Sequence, residues 1–190
     1  EGALREWMWP GAEENYAHRH ASHLYGLFDI ADPEISGSTI LTEAARVAVQ
    51  KRMEVRRQEN GGIMAFGMVQ LAMSAAALGE GEMAWEAVRW LSRNYWSPSL
   101  VTTHDPGYIF NLDLSGGFPA LIIRMLAYSE PGMISLLPAL PSVWEKGSIE
   151  GLLLRGGITV NSLKWNGDTI KAEMISATDQ EVILELPGKV

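Results

Sequence analysis

Residues 157–176 read GITVNSLKWNGDTIKAEMIS. Two short runs rich in β-branched residues and alternating in polarity flank Asn166-Gly167. That dipeptide favours a tight hairpin because both residues tolerate positive φ. A further run, QEVILEL at 180–186, has the same character. From Gly151 onward the chain therefore reads as about four antiparallel strands. A sheet that small needs a partner surface.

Working back from the hairpin, residues 134–151 read ISLLPALPSVWEKGSIEG, where Pro138 and Pro141 rule out a long helix. Upstream of this joint the period changes from two to nearly four. Ile40, Leu41, Ala44, Ala45 and Ala48 recur at helical spacing after Ser36-Gly37-Ser38. Lys51, Arg52, Arg56 and Arg57 read as the solvated face of that helix. Ile63 to Leu78 is apolar nearly all round, as a helix buried on several sides must be. Gly79-Glu80-Gly81 turns the chain into a second helix, with Ala84, Ala87, Val88 and Leu91 inward. Those two form an αα-hairpin. One more helix is expected from about Phe118 to Tyr128, with Pro119 in its first turn. The first 35 residues, broken by Pro10-Gly11 and Asp32-Pro33, read as irregular or short-helical.

The fold class expected is α then β, with helices over 1–132, a linker at 133–150 and an antiparallel β domain over 151–190. A hydrophobic content of 47% in 190 residues is enough for a real core. A net charge of −8 argues against nucleic acid and anionic membranes as partners. No apolar run is long enough to span a bilayer. Cysteine is absent, which excludes disulfides and thiolate metal sites. The chain starts at Glu1 without a Met or a leader-like segment, so it reads as an internal start, and it reads as a piece of something larger. Of the seven tryptophans, Trp85 and Trp90 sit in a helical pattern and read as packing. Trp7 and Trp9, ahead of Pro10-Gly11, have no such explanation.

Two stretches carry the chemistry. The first is HRHASHLYG at 18–26, with three of the four histidines within six positions and Arg19 between the first two. A metal cage, a substrate clamp and plain packing are all open on residue type. Spacing disfavours the cage, because His18 and His20 share a strand face whereas His20 and His23 share a helix face. No carboxylate lies inside the cluster. The second stretch is THDPGYIFNLDLSGGFPALI at 103–122, which carries His104, Asp105, Asn111 and Asp113. Asp113 stands among Phe110, Leu112 and Leu114, so a semi-buried, tunable carboxylate is expected there, with a helix N-cap as the plain alternative. Asp105-Pro106-Gly107 reads as a turn.

These stretches also carry a resemblance. HRHASHLYGL, FNLDLSGGFPALIIRML and ISLLPALPSVWEKGSIEGLLLRGGITV follow one another as in the family 95 glycoside hydrolases, the inverting α-L-fucosidases and their relatives. That family shows an HRHxSHLYG block, an FQIDGNFG-type block and an LLPALPxxWxxGxxxGLxxRGG block. The resemblance covers nearly the whole chain, and its first and third blocks are specific together. It implies the second part of an (α/α)6 toroid followed by the start of a β-sandwich-type domain. It places Asp113 on the general base, and Arg19 and His20 on a pair that hydrogen-bonds sugar hydroxyls. His104 falls on a histidine just before the base, and Asn111 stands beside it as a further sugar contact. His18 and His23 are left to hold the segment by backbone hydrogen bonds and packing. No metal or other cofactor is implied. The general acid is a Glu well upstream of the histidine block, so the upstream half of the same enzyme is an expected partner. Glu6, in LREWM, matches a Glu-Trp pair near the barrel rim, not the acid.

The expected substrate is an oligosaccharide or polysaccharide ending in α-linked L-fucose or a related sugar. An inverting enzyme holds its base and acid about 6.5–9.5 Å apart, with a water between. The alternatives are a relative that binds glycans without cleaving them and a metal-dependent hydrolase or lyase. Some positions depart from the family pattern. Leu114 and Ser115 replace Gly-Asn, and Asn111 replaces Gln. In GGIMAFGMVQ, against a GWSxAWK block, Phe66 stands for Trp and Gly67 for Lys. These neighbours bear on the sugar, leaving fucose, L-galactose and other deoxy-sugars open.

Overall fold

The computed structural model describes residues 2–28, 30–61 and 64–187. Glu1 at the start, Gly62 and Ile63 at the expected head of the apolar helix, and Val190 lie outside the described residues. Two short helices, α1 (Tyr25–Phe28) and α2 (Pro33–Ser36), precede the long α3 (Thr39–Gln58). Ser38 starts α3 by accepting a hydrogen bond from the Leu41 N–H at 3.3 Å. The antiparallel pair α4 (Ala65–Ala77) and α5 (Gly81–Asn94) follows, turned by Gly79 at φ +75°. A small hairpin, β1 (Thr103–Asp105) and β2 (Tyr108–Phe110), then leads into α6 (Leu112–Leu126).

The helical core forms where the periodicity put it. α4 buries residues on every side, among them Met68, Val69, Leu71, Ala72 and Ala76. α5 turns Ala84, Ala87, Val88 and Leu91 inward. Burying one such Leu or Val contributes about 1.5–3 kcal/mol. Trp85 and Trp90 pack against this core.

Helix α3 departs from its expected face. Ile40 is 79% exposed, whereas Arg52 and Arg56, read as solvated, are 1% and 3% exposed. The buried stripe is Ala45, Ala48, Val49, Arg52, Met53 and Arg56, so both arginines continue the core-facing register.

Helix α6 begins six residues earlier than Phe118, because Asn111 caps it and accepts from the Leu114 N–H at 2.9 Å. Pro119 thus lies inside the helix, where it removes the N–H that would meet the Ser115 carbonyl. The helix also ends before Tyr128, which belongs to a strand.

Seven strands follow among the described residues: β3 (Ala127–Glu130), β4 (Met133–Leu136), β5 (Lys146–Ile149), β6 (Leu152–Leu154), β7 (Ile158–Asn166), β8 (Thr169–Ser176) and β9 (Ile183–Glu185); the last four lie beyond Gly151, as read from the sequence, and the first three precede it. The stretch 133–150 thus carries β4 and β5. Strands of four residues are too short to show an alternation, which is why β3 to β5 left no clear trace. The β7–β8 hairpin pairs Asn166 with Thr169, so its loop is Gly167-Asp168, with Gly167 at φ +54°. β5 and β6 share one edge of β7, and β8 runs along the other. The second sheet runs β3-β4-β9, and β4–β9 is parallel, which corrects the all-antiparallel expectation. A second core lies here around Leu152, Val160, Leu163 and Trp165. Ile122 and Trp144 pack against both cores and join the helical part to the sheets.

Candidate active site

The histidine-rich segment runs ahead of α1 with little regular structure of its own, so other elements must hold it. Arg52 Nη1 donates to the carbonyls of His18 and His20 at 3.1 and 3.0 Å. Arg56 Nη2 donates to those of Ala17 and His18 at 2.9 and 3.0 Å. The Gln70 side chain of α4 accepts from the Ala21 N–H at 3.4 Å. Buried carbonyls need such partners, and a charged donor strengthens each bond.

Arg52 also meets Glu6, Nη2 to Oε2, at 2.9 Å. Their side chains are 1% and 9% exposed, so the pair is shielded from water. Burial lowers the Arg52 pKa and Glu6 opposes that shift. The guanidinium stays charged, since its reference value lies so far above neutrality. Glu14 braces Glu6 in turn, accepting from its N–H at 2.8 Å.

Within the segment, His18 Nδ1 accepts from the His20 N–H at 3.2 Å. The two rings lie 5.5 Å apart, centroid to centroid. His20 meets Phe66 edge-on at 6.5 Å. Its pKa is lowered, first by burial and then by the charges of Arg19 and His18, with Glu6 opposing and His104 adding to the fall. His20 is therefore a neutral imidazole at pH 7, able to donate from one ring nitrogen and accept at the other. The Arg19 side is exposed. His23 lies beside the Arg52, Glu6 and Glu14 group, and neither of its ring nitrogens has a hydrogen-bond partner among the described residues. Burial lowers its pKa most, followed by Arg52. Among the described residues no group of three or more His, Asp or Glu side chains is arranged to hold a metal ion.

The second stretch is built on the β1–β2 hairpin. Asp105 pairs with Tyr108 around Pro106-Gly107, with Gly107 at φ +77°, so the turn forms as read. His104 sits on β1 with Nδ1 3.2 Å from the Asp105 carboxylate. Thr102 anchors the base of the hairpin: its carbonyl accepts from the Asn111 N–H at 3.0 Å, and its hydroxyl lies 2.6 Å from that of Ser115. Asn111 is 6% exposed, and both ends of its amide are engaged. Its oxygen caps α6, while Nδ2 donates to Asp113 Oδ2 at 2.8 Å. Asn111, expected to touch a sugar, is here bonded to Asp113 and to the Leu114 N–H.

Asp113 is exposed in the first turn of α6, which corrects the expected semi-buried carboxylate; nor is it the N-cap. The reason is local. With Asn111 as cap, Leu114 takes the inward position at 0% exposure, and Leu112 and Asp113 point out. A carboxylate there is favoured by the helix N-terminus and can accept a proton from a bound water.

Helix α4 connects the two stretches. Its Gln70 and Phe66 meet the histidine segment, and its Val69 packs so tightly on α6 that a Cβ on Gly117 would come within 2.8 Å of it. A cavity of about 520 Å³ lies between α2, α6 and the β3–β4–β9 sheet, and none of Arg19, His20, His104, Asn111 or Asp113 lines it.

Glu6, Arg52, Arg56 and Thr102 support the site but were not among the candidates read from the sequence. The arginines left one signal, the 3–4 spacing that places them in line with Ala45, Ala48 and Met53.

Comparison with known proteins bears on this arrangement. Residues 1–126 match the glycosyl hydrolase family 95 catalytic domain, and residues 128–190 match the glycoside hydrolase family 95 C-terminal domain. The two matches meet at Ala127, the first residue of β3. Alpha-L-fucosidase 2 of Arabidopsis thaliana is 33% identical over 177 residues, which is 87% of this chain and 20% of that protein. Probable alpha-fucosidase A of Aspergillus niger is 27% identical over 91% of this chain and 24% of its own length. The protein of the same name from Aspergillus oryzae is 27% identical over 100% of this chain and 29% of its own. The chain thus spans less than a third of the length of these relatives. With both matches falling in order along it, the chain belongs to glycoside hydrolase family 95.

Proposed function

We propose that this chain is part of a glycoside hydrolase that removes a terminal α-linked L-fucose, or a related sugar, with inversion, and that Asp113 is its general base. The observation that carries the reading is the presentation of Asp113: an exposed carboxylate at a helix N-terminus, held by Asn111 Nδ2 at 2.8 Å. The names of the relatives support the sugar class.

In this reading Asp113 takes a proton from a water as its oxygen attacks the anomeric carbon. A carboxylic acid on the opposite side protonates the departing glycosidic oxygen. That acid comes from the region upstream of this chain, so the chain alone is inactive. Arg19, His20 and His104 bind sugar hydroxyls: Arg19 as a fixed fork of donors, and His20 as a neutral ring that donates and accepts. Together with that upstream region, α1 to α6 form a toroid of paired helices. No cofactor takes part.

The test joins this chain to the upstream region and compares Asp113→Asn with the parent on a chromogenic α-L-fucoside. Loss of the base is expected to lower kcat by about 10²–10⁴-fold. Equal activity in the two would remove Asp113 from the role. The anomer released first, followed by proton NMR, should be β; an α product would overturn inversion. Sugar binding without turnover in both proteins would instead identify a glycan-binding relative.

A further inference from the structure

Arg124, near the end of α6, is 8% exposed, yet no carboxylate forms an ion pair with it among the described residues. Nη2 donates to the Leu27 carbonyl at 3.1 Å, and the guanidinium lies 4.2 Å from the centroid of the Tyr128 ring. Nε, shut away from solvent, has no hydrogen-bond partner among the described residues. A buried cation in this state is costly, and a guanidinium has five N–H donors to satisfy. Arg124 and Tyr128 line the cavity of about 520 Å³ between α2, α6 and the β3–β4–β9 sheet. That volume lies within the range of small-molecule sites, about 300–1,000 Å³.

The remaining lining narrows the ligand. Asp32, Glu130 and Glu185 stand around the cavity, so carboxylates outnumber the guanidinium and disfavour an anion. Two of them already accept hydrogen bonds, Asp32 from the Glu34 N–H at 2.8 Å and Glu130 from the Tyr128 hydroxyl. No group of three or more His, Asp or Glu among the described residues is arranged for a metal ion. Leu27, Leu78, Met133 and Pro138 supply apolar wall. A purely apolar ligand would leave Arg124 buried and unpaired, and an organic cation would be set beside its charge. A neutral ligand rich in hydroxyls meets every group, since each hydroxyl can donate to a carboxylate and accept from a guanidinium.

We propose that this cavity is a second glycan site, which holds a short neutral stretch of oligosaccharide between Arg124 and the three carboxylates without cleaving it. Membership of a glycoside hydrolase family makes a sugar the available ligand of that chemistry. None of Arg19, His20, His104, Asn111 or Asp113 lines the cavity, so the inference stands apart from the reading of Asp113 as base. A polymer held there keeps its other ends at high local concentration around the same molecule.

The experiment uses this chain joined to the upstream region, with lactose, a neutral disaccharide without fucose, as the probe. Saturation-transfer NMR should show lactose bound to the parent. Arg124→Met should weaken that binding about tenfold or more, the effect of losing a charged hydrogen-bond donor. Its far-UV circular dichroism should match the parent's. Arg19→Ala/His20→Ala should change lactose binding by less than about twofold, since distant sites act independently. No lactose signal from the parent, as when the upstream region fills the cavity, would overturn the proposal. Lactose binding that Arg124→Met leaves intact, or that Arg19→Ala/His20→Ala abolishes, would overturn it as well. Arg124-dependent binding of inorganic phosphate or putrescine, without lactose, would assign the cavity to a charged ligand and refute the neutral class. Should Arg124→Met not fold, Ala77→Trp takes its place, because it fills the cavity from a half-buried position on the wall. Lactose binding unchanged by Ala77→Trp would again refute the site. Full activity of Asp113→Asn, by contrast, would remove the base and leave this site standing.

Discussion

His23 stands beside Arg52, Glu6 and Glu14 with both ring nitrogens unpaired among the described residues, and burial holds its pKa below the ordinary 6.5. His20 is shifted the same way, chiefly by burial and then by Arg19 and His18. Each imidazole is therefore neutral in the folded chain at a pH where the unfolded chain is already binding protons. Linkage then makes stability rise with pH across that window. The stabilisation is fully present above 6.5 and is lost as pH falls through the lowered folded values. Chemical denaturation from about pH 7.5 down to about pH 5.5 should show this decline, and His23→Gln should make it shallower. An unchanged slope in His23→Gln would remove His23 as a source. Arg52 and Glu6 show the related cost of burying charge, since each would be strongly destabilising without the other. The histidines were legible as a cluster because residue type and spacing are local. The arginines beneath them were not, because an Arg on a helix face is ordinarily solvated, and only the carbonyls of a distant segment make its burial favourable.

Helix α6 shows what a cap decides for a whole element. Its start was expected near Phe118, with Pro119 in the first turn, but the cap is Asn111, seven residues earlier. That earlier start prevails because the Asn111 oxygen satisfies the Leu114 N–H while its amide nitrogen holds Asp113. That choice places Leu114 inside, turns Asp113 outward and leaves Pro119 within the helix. Asn111→Ala should cost about 1 kcal/mol of stability through the lost cap. With Asp113 as the proposed base, it should also lower kcat by freeing that carboxylate. Urea titration measures the first effect and steady-state kinetics the second, and an unaltered midpoint would show that the cap contributes nothing. Helices α4 and α5 were read correctly from the sequence because their apolar positions repeat over several turns. β3 to β5 were missed because four residues hold no repeat to read.

At the scale of the whole molecule, the helical and β parts are fastened at the joint. Trp144 meets Trp85 of α5 edge-on at 5.5 Å, and its carbonyl accepts from Trp165 Nε1 of β7 at 2.7 Å. Arg124 of α6 donates to the Leu27 carbonyl at 3.1 Å and lies over the Tyr128 ring. The Tyr128 hydroxyl accepts from the Ala31 N–H and donates to Glu130. The backbone at Ala139 and Leu140 approaches Gly81 so closely that a Cβ there would lie 2.8 Å from both carbonyl oxygens. Trp144→Ala should destabilise the chain by about 3 kcal/mol. Because that side chain serves both cores, helical circular dichroism and tryptophan fluorescence of the parent should lose their signals together. Separate transitions in the parent would show that the two parts are held independently.

The order of helices before strands, the αα-hairpin, the β7–β8 hairpin and the change from helical to strand period near the joint were all determined by the sequence alone. Each depends on neighbours a few positions apart, within which periodicity and turn chemistry act. Tertiary structure alone decided that Arg52 reaches back 34 positions to the His18 carbonyl. It likewise decided that β9 joins β4 in parallel. Buried polar groups and strand edges must find partners wherever the fold brings them, and distance along the chain does not restrict that choice.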